Sequence, residues 1–171
     1  MTVTLASPSS PAADPHRPLV SDHDLLSRVE ALVPVAVRRQ LWTLFLDSDD
    51  VQLPMVVPLE GIPERPDRSA VERWGDALDA VSAEFGVASV VFVLERPGPR
   101  VDTDPDCAWR LALAHLAESR RFAVRAVFTC ASDGVVLPSA ARSAPVPDDE
   151  RCSRPQSSPR RLRLSEELTV R

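Results

Sequence analysis

Apolar residues recur at two different spacings along the chain, and the difference predicts its secondary structure. Spacings of three and four, typical of one buried helix face, occur in two segments that open with Ser21 and Ser69. In each segment an acidic residue follows three positions later, Asp24 and Glu72, which is the pattern of a capping box at a helix N-terminus. Gly86 follows the second segment and predicts where that helix ends.

The remaining apolar runs have the length and composition of β-strands. Runs over 41–46 and 51–57 flank the turn-forming "DSDD" and predict a β-hairpin. Because Pro54 has no N–H group to donate, the second of these strands is expected at a sheet edge or with a bulge. The run over 87–95 is almost continuously β-branched, which indicates a central strand covered on both faces. A second hairpin joins "FAVRAVFTC" to "VVLP" through "ASDG".

A proline-rich loop, "RPGPRVDTDPD", leads from the central strand into a third helix. Thr103 or Asp104 is expected to cap this helix, with Pro105 at or near its first position and its end near Ser119. A strand, a helix and a strand in this order favour parallel pairing through a right-handed crossover. The predicted fold class is therefore α/β (α+β, with a mixed sheet). We expect a single three-layer-like domain with two antiparallel hairpins and one right-handed strand-helix-strand unit.

Composition predicts that both ends of the chain lie outside the folded domain. The 17 prolines are about twice the usual share and concentrate toward the two ends. Segments rich in Pro, Ser and charge bury too little apolar area to offset the entropy lost on ordering. We expect a disordered N-terminal arm over 1–20, a globular domain over 21–138, and a disordered Pro/Ser/Arg-rich tail over 139–171.

Charge and cysteine content restrict the class of partner and the compartment. A net charge of −5 disfavours broad binding to a phosphate backbone, except through the arginines of the tail. The three cysteines are odd in number and widely spaced, which predicts neither a disulfide framework nor a zinc site. The chain shows no signal peptide and no apolar run long enough to span a membrane. We therefore expect a cytoplasmic protein without a membrane partner. The arginine cluster of the tail consists of Arg160, Arg161 and Arg163, and the three cysteines are Cys107, Cys130 and Cys152.

The loop after the central strand carries the best-placed polar residues. The carboxyl ends of strands are where α/β sheets usually present functional groups, and the acidic residues of the loop complement the positive end of the next helix. We predict a surface that binds a protein or a small molecule, with no catalytic residue, metal or cofactor. Its candidate residues are Glu95, Arg96, Asp102, Asp104, Asp106 and His115.

Two enzymatic alternatives remain open at this point. A metal-dependent hydrolase would use the three aspartates of the loop together with His115. A thiol-dependent enzyme would use Cys107, since a thiolate near a helix N-terminus is stabilised. The first predicts a bound divalent ion, and the second predicts a lowered cysteine pKa.

Residues 41–137 resemble the RadC-like branch of the JAB/MPN metalloprotease fold in the order of their elements. The resemblance implies a loop of the pattern H-x-H-P-S-G-x-P followed by S-x-x-D, in which two histidines and the aspartate bind zinc. In "LERPGPRVDTDPD", Leu94 and Arg96 stand at the histidine positions, while Asp106 and the proline and glycine of "RPG" match. The resemblance therefore implies a relative that keeps the scaffold without the zinc-binding histidines.

The stretches "RRQLWTLFLD", "SDDVQLPMVVPLEG" and "VLERPG" are also similar to small actinobacterial proteins. The absence of lysine among the 20 basic residues is typical of a GC-rich genome of that kind. The missing zinc-binding histidines and the missing catalytic base favour a noncatalytic binding or interaction domain over the degenerate hydrolase.

Overall fold

The computed structural model describes residue 14 and residues 16–136, in which helices and strands follow one another in the predicted order. The helices are α1 (Asp22–Leu32), α2 (Arg68–Phe85) and α3 (Asp104–Ala114), and α3 continues into one 3-10 turn (His115–Ala117). The strands are β1 (Gln40–Leu46), β2 (Gln52–Glu60), β3 (Ser89–Glu95), β4 (Ala123–Ala131) and β5 (Gly134–Val136).

The five strands form one mixed sheet in the order β2-β1-β3-β4-β5. Strands β3 and β4 are parallel, whereas the β1–β2, β1–β3 and β4–β5 pairs are antiparallel. The predicted mixed sheet and both antiparallel hairpins are therefore confirmed. Because β1 is antiparallel to both of its neighbours, β2, β3 and β4 run in one direction. We call the edge where these strands end, at Glu60, Glu95 and Ala131, the carboxyl edge.

Side chains of β3 alternate between two hydrophobic layers, so both faces of the sheet are buried. Val91 and Val93 pack in the cluster that contains the apolar face of α1. Phe92 and Leu94 pack in the other cluster, together with residues of α2 and α3. Burying a side chain of this size stabilises the fold by about 1.5–3 kcal/mol. The near-continuous apolar run of β3 is explained by its position between the two helical layers.

The edge position predicted for the second strand is confirmed. Strand β2 pairs only with β1 in the described part of the chain, and the register of the pair shifts between Leu44 and Leu46. Pro54 lies in β2 beside this irregularity. An edge strand with a bulge tolerates a residue that has no N–H to donate.

Helix α2 begins earlier than the sequence pattern predicts. Its N-cap is Asp67, whose carboxylate accepts hydrogen bonds from the Ala70 N–H at 2.7 Å and the Ser69 hydroxyl at 2.8 Å. The predicted capping box of Ser69 and Glu72 was therefore wrong. The physical reason is that Ser69 and Asp67 can both cap a helix, and the carboxylate is the stronger acceptor.

The other helix boundaries agree more closely with the sequence. Ser21 and Asp24 form the predicted capping box of α1. Gly86 ends α2 in a left-handed conformation (φ 68°), which glycine adopts without strain. Helix α3 has Thr103 as its N-cap; its α-helical part ends at Ala114, and the 3-10 turn that follows ends at Ala117, close to the predicted end near Ser119.

The hydrophobic core includes one residue of the predicted N-terminal arm. Leu19 is buried in the α1 layer, and its N–H donates to the Asp50 carbonyl at 2.8 Å. The core therefore begins before the predicted boundary at residue 21. The predicted tail over 139–171, with the arginine cluster of Arg160, Arg161 and Arg163 and with Cys152, lies outside the described residues. No described helix is long and apolar enough to cross a membrane.

Candidate functional site

Glu95 is the last residue of β3 and lies at the carboxyl edge with only 2% of its surface exposed. Its carboxylate accepts hydrogen bonds from the backbone N–H groups of Val37 (2.6 Å) and Arg38 (3.1 Å). It also accepts from the Trp42 indole N–H at 2.8 Å and from the Gln40 side-chain amide. Four donors on two segments thus converge on one carboxylate. They attach the chain that enters β1 to the end of β3.

All four of these donors are electrically neutral, yet they keep Glu95 ionised. Burial by itself raises the pKa of Glu95, but the hydrogen bonds from Gln40, Val37, Trp42 and Arg38 together lower it below its ordinary value of 4.5. The side chain is therefore a buried anion at neutral pH. Its oxygens are already occupied by donors from the protein.

Cys130 lies near this anion and is held as a thiol. Burial, and secondarily the charge of Glu95, raise the pKa of Cys130 to about 11. Its Sγ donates to the Val33 carbonyl at 3.2 Å. Because only the thiolate is a strong nucleophile, the raised pKa disfavours a nucleophilic role for Cys130 near neutral pH.

Arg96 and Asp106 form a buried ion pair that closes the loop between β3 and α3. The exposed fractions of their surfaces are 4% and 0%. The Arg96 Nε lies 3.0 and 2.9 Å from the two carboxylate oxygens, and Nη2 lies 2.9 Å from Oδ2. The remaining N–H groups donate to the carbonyls of Pro99 (2.8 Å) and Val101 (2.7 Å). One guanidinium thereby fixes both the loop and the start of the helix.

The Asp106 carboxylate also belongs to the cap of α3. It accepts the Thr103 backbone N–H at 3.0 Å, while the Asp106 N–H donates to the Thr103 hydroxyl at 3.3 Å. The sequence predicted that the loop acids complement the positive end of the helix dipole. Asp106 does so as part of this reciprocal cap. Arg96 and Asp106 are thus bonded to each other and to the backbone.

Asp102 and Asp104 remain on the surface of the loop. Asp102 accepts two hydrogen bonds from Arg110, at 2.7 and 3.0 Å, and Asp104 is exposed in the first turn of α3. Arg110 Nη2 also lies 3.2 Å from the Cys107 Sγ. Sequence reasoning did not single out Arg110, although its spacing of three residues from Cys107 on a helix was visible.

His115 lies at the other end of α3 from the aspartates. Its Nδ1 is 2.7 Å from the Glu118 carboxylate, and both side chains are exposed. The nine residues from Asp106 to His115 correspond to about 13 Å along a helix axis. The four residues of the hydrolase alternative are therefore not brought together. Within residues 16–136, no group of three or more His, Cys, Asp and Glu side chains could hold a metal ion.

The residues at the positions of the implied zinc site do not fit a metal. Leu94 is fully buried in the layer of α2 and α3. Arg96 places a positive charge on Asp106, the one matching ligand, where a zinc ion would have to bind. The Arg96 guanidinium would repel an approaching divalent cation. It occupies the position beside Asp106 that a zinc ion would need.

The parts of the carboxyl edge that remain open to solvent are apolar as well as acidic. Val37, which precedes β1, is 76% exposed, and Val101 in the loop is 65% exposed. The backbones of both residues are held by the buried charges, Val37 through Glu95 and Val101 through Arg96. The sequence analysis did not identify either valine. Whether a valine is exposed depends on the path of the backbone around it, which the residue type does not reveal.

No protein-family model matches the chain, and a comparison with curated proteins gives no match.

Proposed function

We propose that this protein is a noncatalytic binding or interaction domain that contacts its partner through the carboxyl edge. The contact surface would consist of the exposed residues of the loop between Arg96 and Asp106 and of the segment with Val37 that precedes β1. The observation that carries this proposal is the buried pair of Arg96 and Asp106. Asp106 is the one residue at a ligand position of the implied zinc site that could bind a metal, and this pair keeps its carboxylate away from solvent.

The chemistry of the edge supports a noncatalytic role. A general base must reach the proton that it abstracts, but Glu95 is buried beneath its four donors. Cys130 is a buried thiol with a raised pKa. The metal-dependent alternative needs Asp106 and His115 at one ion, and α3 separates them by about 13 Å. A degenerate hydrolase of the JAB/RadC-like type would thus lack both its metal and its base.

The open part of the edge supports a binding role. Two valines project from backbone segments that hydrogen bonds already hold in place, so little conformational entropy remains to be lost on binding. The neighbouring acids Asp102 and Asp104 disfavour a nucleic-acid phosphate at this surface. Exposed valines near surface carboxylates are suited to contact with a protein partner.

Elemental analysis tests the noncatalytic half of the proposal. The untagged full chain, dialysed with zinc and manganese, is expected to retain no stoichiometric metal. Asp104→Asn and His115→Ala serve as matched variants, because both residues are exposed and neither change disturbs the buried pair. The noncatalytic assignment would be overturned if the parent chain retained about one metal ion per chain and either variant failed to retain it.

Site-specific photo-crosslinking in the native cells tests the binding half. A photoreactive amino acid is placed at Val37 or Val101, and at two exposed control positions, Phe85 and Leu111. Phe85 ends α2 at the opposite edge of the sheet, and Leu111 lies within α3. We expect one adduct of defined mass from both valine positions and none from the controls. Equal labelling at all four positions, or none at the valines, would contradict a partner surface at the carboxyl edge.

A further inference from the structure

Arg39 is a partly buried arginine that directly precedes β1 at the carboxyl edge. The next residue, Gln40, pairs with Glu60 of β2 and with Glu95 of β3, so Arg39 lies between the ends of these two strands. Gly61 follows on the β2 side, and a Cβ at that position would meet no atom within 4 Å. On this side the edge is open to an approaching group.

The Arg39 guanidinium makes no hydrogen bond or ion pair with any of the residues that the structure describes. Of its three nitrogens only Nη1 is fully buried, whereas Nε and Nη2 retain accessible surface. The two neighbouring arginines are neutralised by acids of the chain, Arg38 by Glu60 and Arg96 by Asp106. A cation that is partly removed from water without a counter-charge costs free energy, so Arg39 favours an anion that pairs with it.

We propose that Arg39 binds a carboxylate of the protein partner, with Nε and Nη2 each donating to one oxygen. The inference rests on the proposed function, because it names the group by which the partner recognises the carboxyl edge. One edge of a guanidinium matches the two oxygens of a planar carboxylate, and Asp104 at the start of α3 would repel the larger charge of a phosphate dianion. Val37, two residues away and 76% exposed, supplies an apolar contact beside the ion pair.

The first test measures the Nε–H signals of the ¹⁵N-labelled full chain during titration with acetate, with chloride balancing the ionic strength. Arg39→Gln identifies the Arg39 signal, and Arg65→Gln identifies the signal of an exposed arginine without a partner in the described part of the chain. We expect a saturable shift of the Arg39 signal, half complete at about 10–100 mM acetate, and none at Arg65. Inorganic phosphate should give no saturable shift. The carboxylate site is overturned if acetate gives no saturable shift, if Arg65 responds equally, or if phosphate acts like acetate.

The second test asks whether the partner uses this site. A photoreactive amino acid at Val101 is combined with Arg39→Gln or with the matched control Arg38→Gln, whose side chain is exposed and pairs with Glu60. We expect the adduct to fall about tenfold with Arg39→Gln and to persist with Arg38→Gln. An adduct that Arg39→Gln leaves undiminished, or that both variants lower equally, would overturn the inference and leave the proposed function intact. No adduct in the parent chain would contradict the proposed function, and with it a carboxylate from a partner, whereas the acetate titration would still decide whether Arg39 is a carboxylate site.

Discussion

Replacing Asp106 with alanine is expected to lower the free energy of unfolding by about 3–5 kcal/mol. The change leaves the Arg96 guanidinium buried without its counter-charge, and it also frees the Thr103 N–H at the start of α3. A buried charge that loses its partner retains its full cost of desolvation, which is why the effect exceeds that of an ordinary hydrogen bond. Urea denaturation with a shared m-value would measure it.

The matched control is Asp102→Ala in the same loop. Asp102 pairs with Arg110 and is half exposed, and exposed ion pairs contribute only about 0–1 kcal/mol. The double variant Arg96→Met/Asp106→Ala should lose less stability than Asp106→Ala alone, because no unpaired cation remains in it. If Asp106→Ala destabilises the protein no more than Asp102→Ala does, the buried pair is not what closes the loop.

Replacing Glu95 with glutamine is expected to destabilise the protein by about 2–3 kcal/mol near neutral pH. The glutamine amide presents a donor to four groups that are themselves donors, so at least one buried N–H loses its acceptor. Glu60→Gln is the matched control, because the Glu60 carboxylate is exposed and pairs with Arg38 on the surface. Its effect should stay within about 0.5 kcal/mol.

The effect of Glu95→Gln should depend on pH in one direction. The hydrogen bonds lower the pKa of Glu95 in the folded protein below its ordinary value of 4.5. The stabilisation is therefore fully present above that ordinary value and is lost as the pH falls through the lower pKa of the folded state. The difference between the parent chain and Glu95→Gln should shrink between pH 5 and pH 3, as measured by urea denaturation at each pH. A difference that stays constant over this range would mean that Glu95 does not titrate as a buried acceptor.

The two variants address different halves of the carboxyl edge. Glu95 attaches the segment before β1 to the sheet, and Arg96 with Asp106 attaches the loop and α3. The exposed valines depend on these attachments for their positions. Loss of crosslinking at Val101 in Asp106→Ala, under conditions where the protein stays folded, would follow from the proposed function.

Sequence patterns alone determined the order of helices and strands, the mixed sheet, the edge position of β2 and the central position of β3. These features depend on local spacing of apolar residues, on proline and glycine, and on the short reach of capping side chains. The same patterns located Glu95, Arg96 and Asp106 as notable residues of one loop. The N-cap of α2 was misplaced because Asp67 and Ser69 are both good caps, and the choice depends on the path of the preceding loop.

Only the tertiary structure decided what those residues do. The donors of Glu95 come from more than 50 positions earlier in the chain and reach it because β1 pairs with β3. Arg96 pairs with Asp106, and not with the nearer Asp102 or Asp104, because of the turn that the loop makes. The burial of a charge and the identity of its partner arise from contacts between distant segments. Such contacts follow from the packing of the whole fold, which local sequence patterns do not contain.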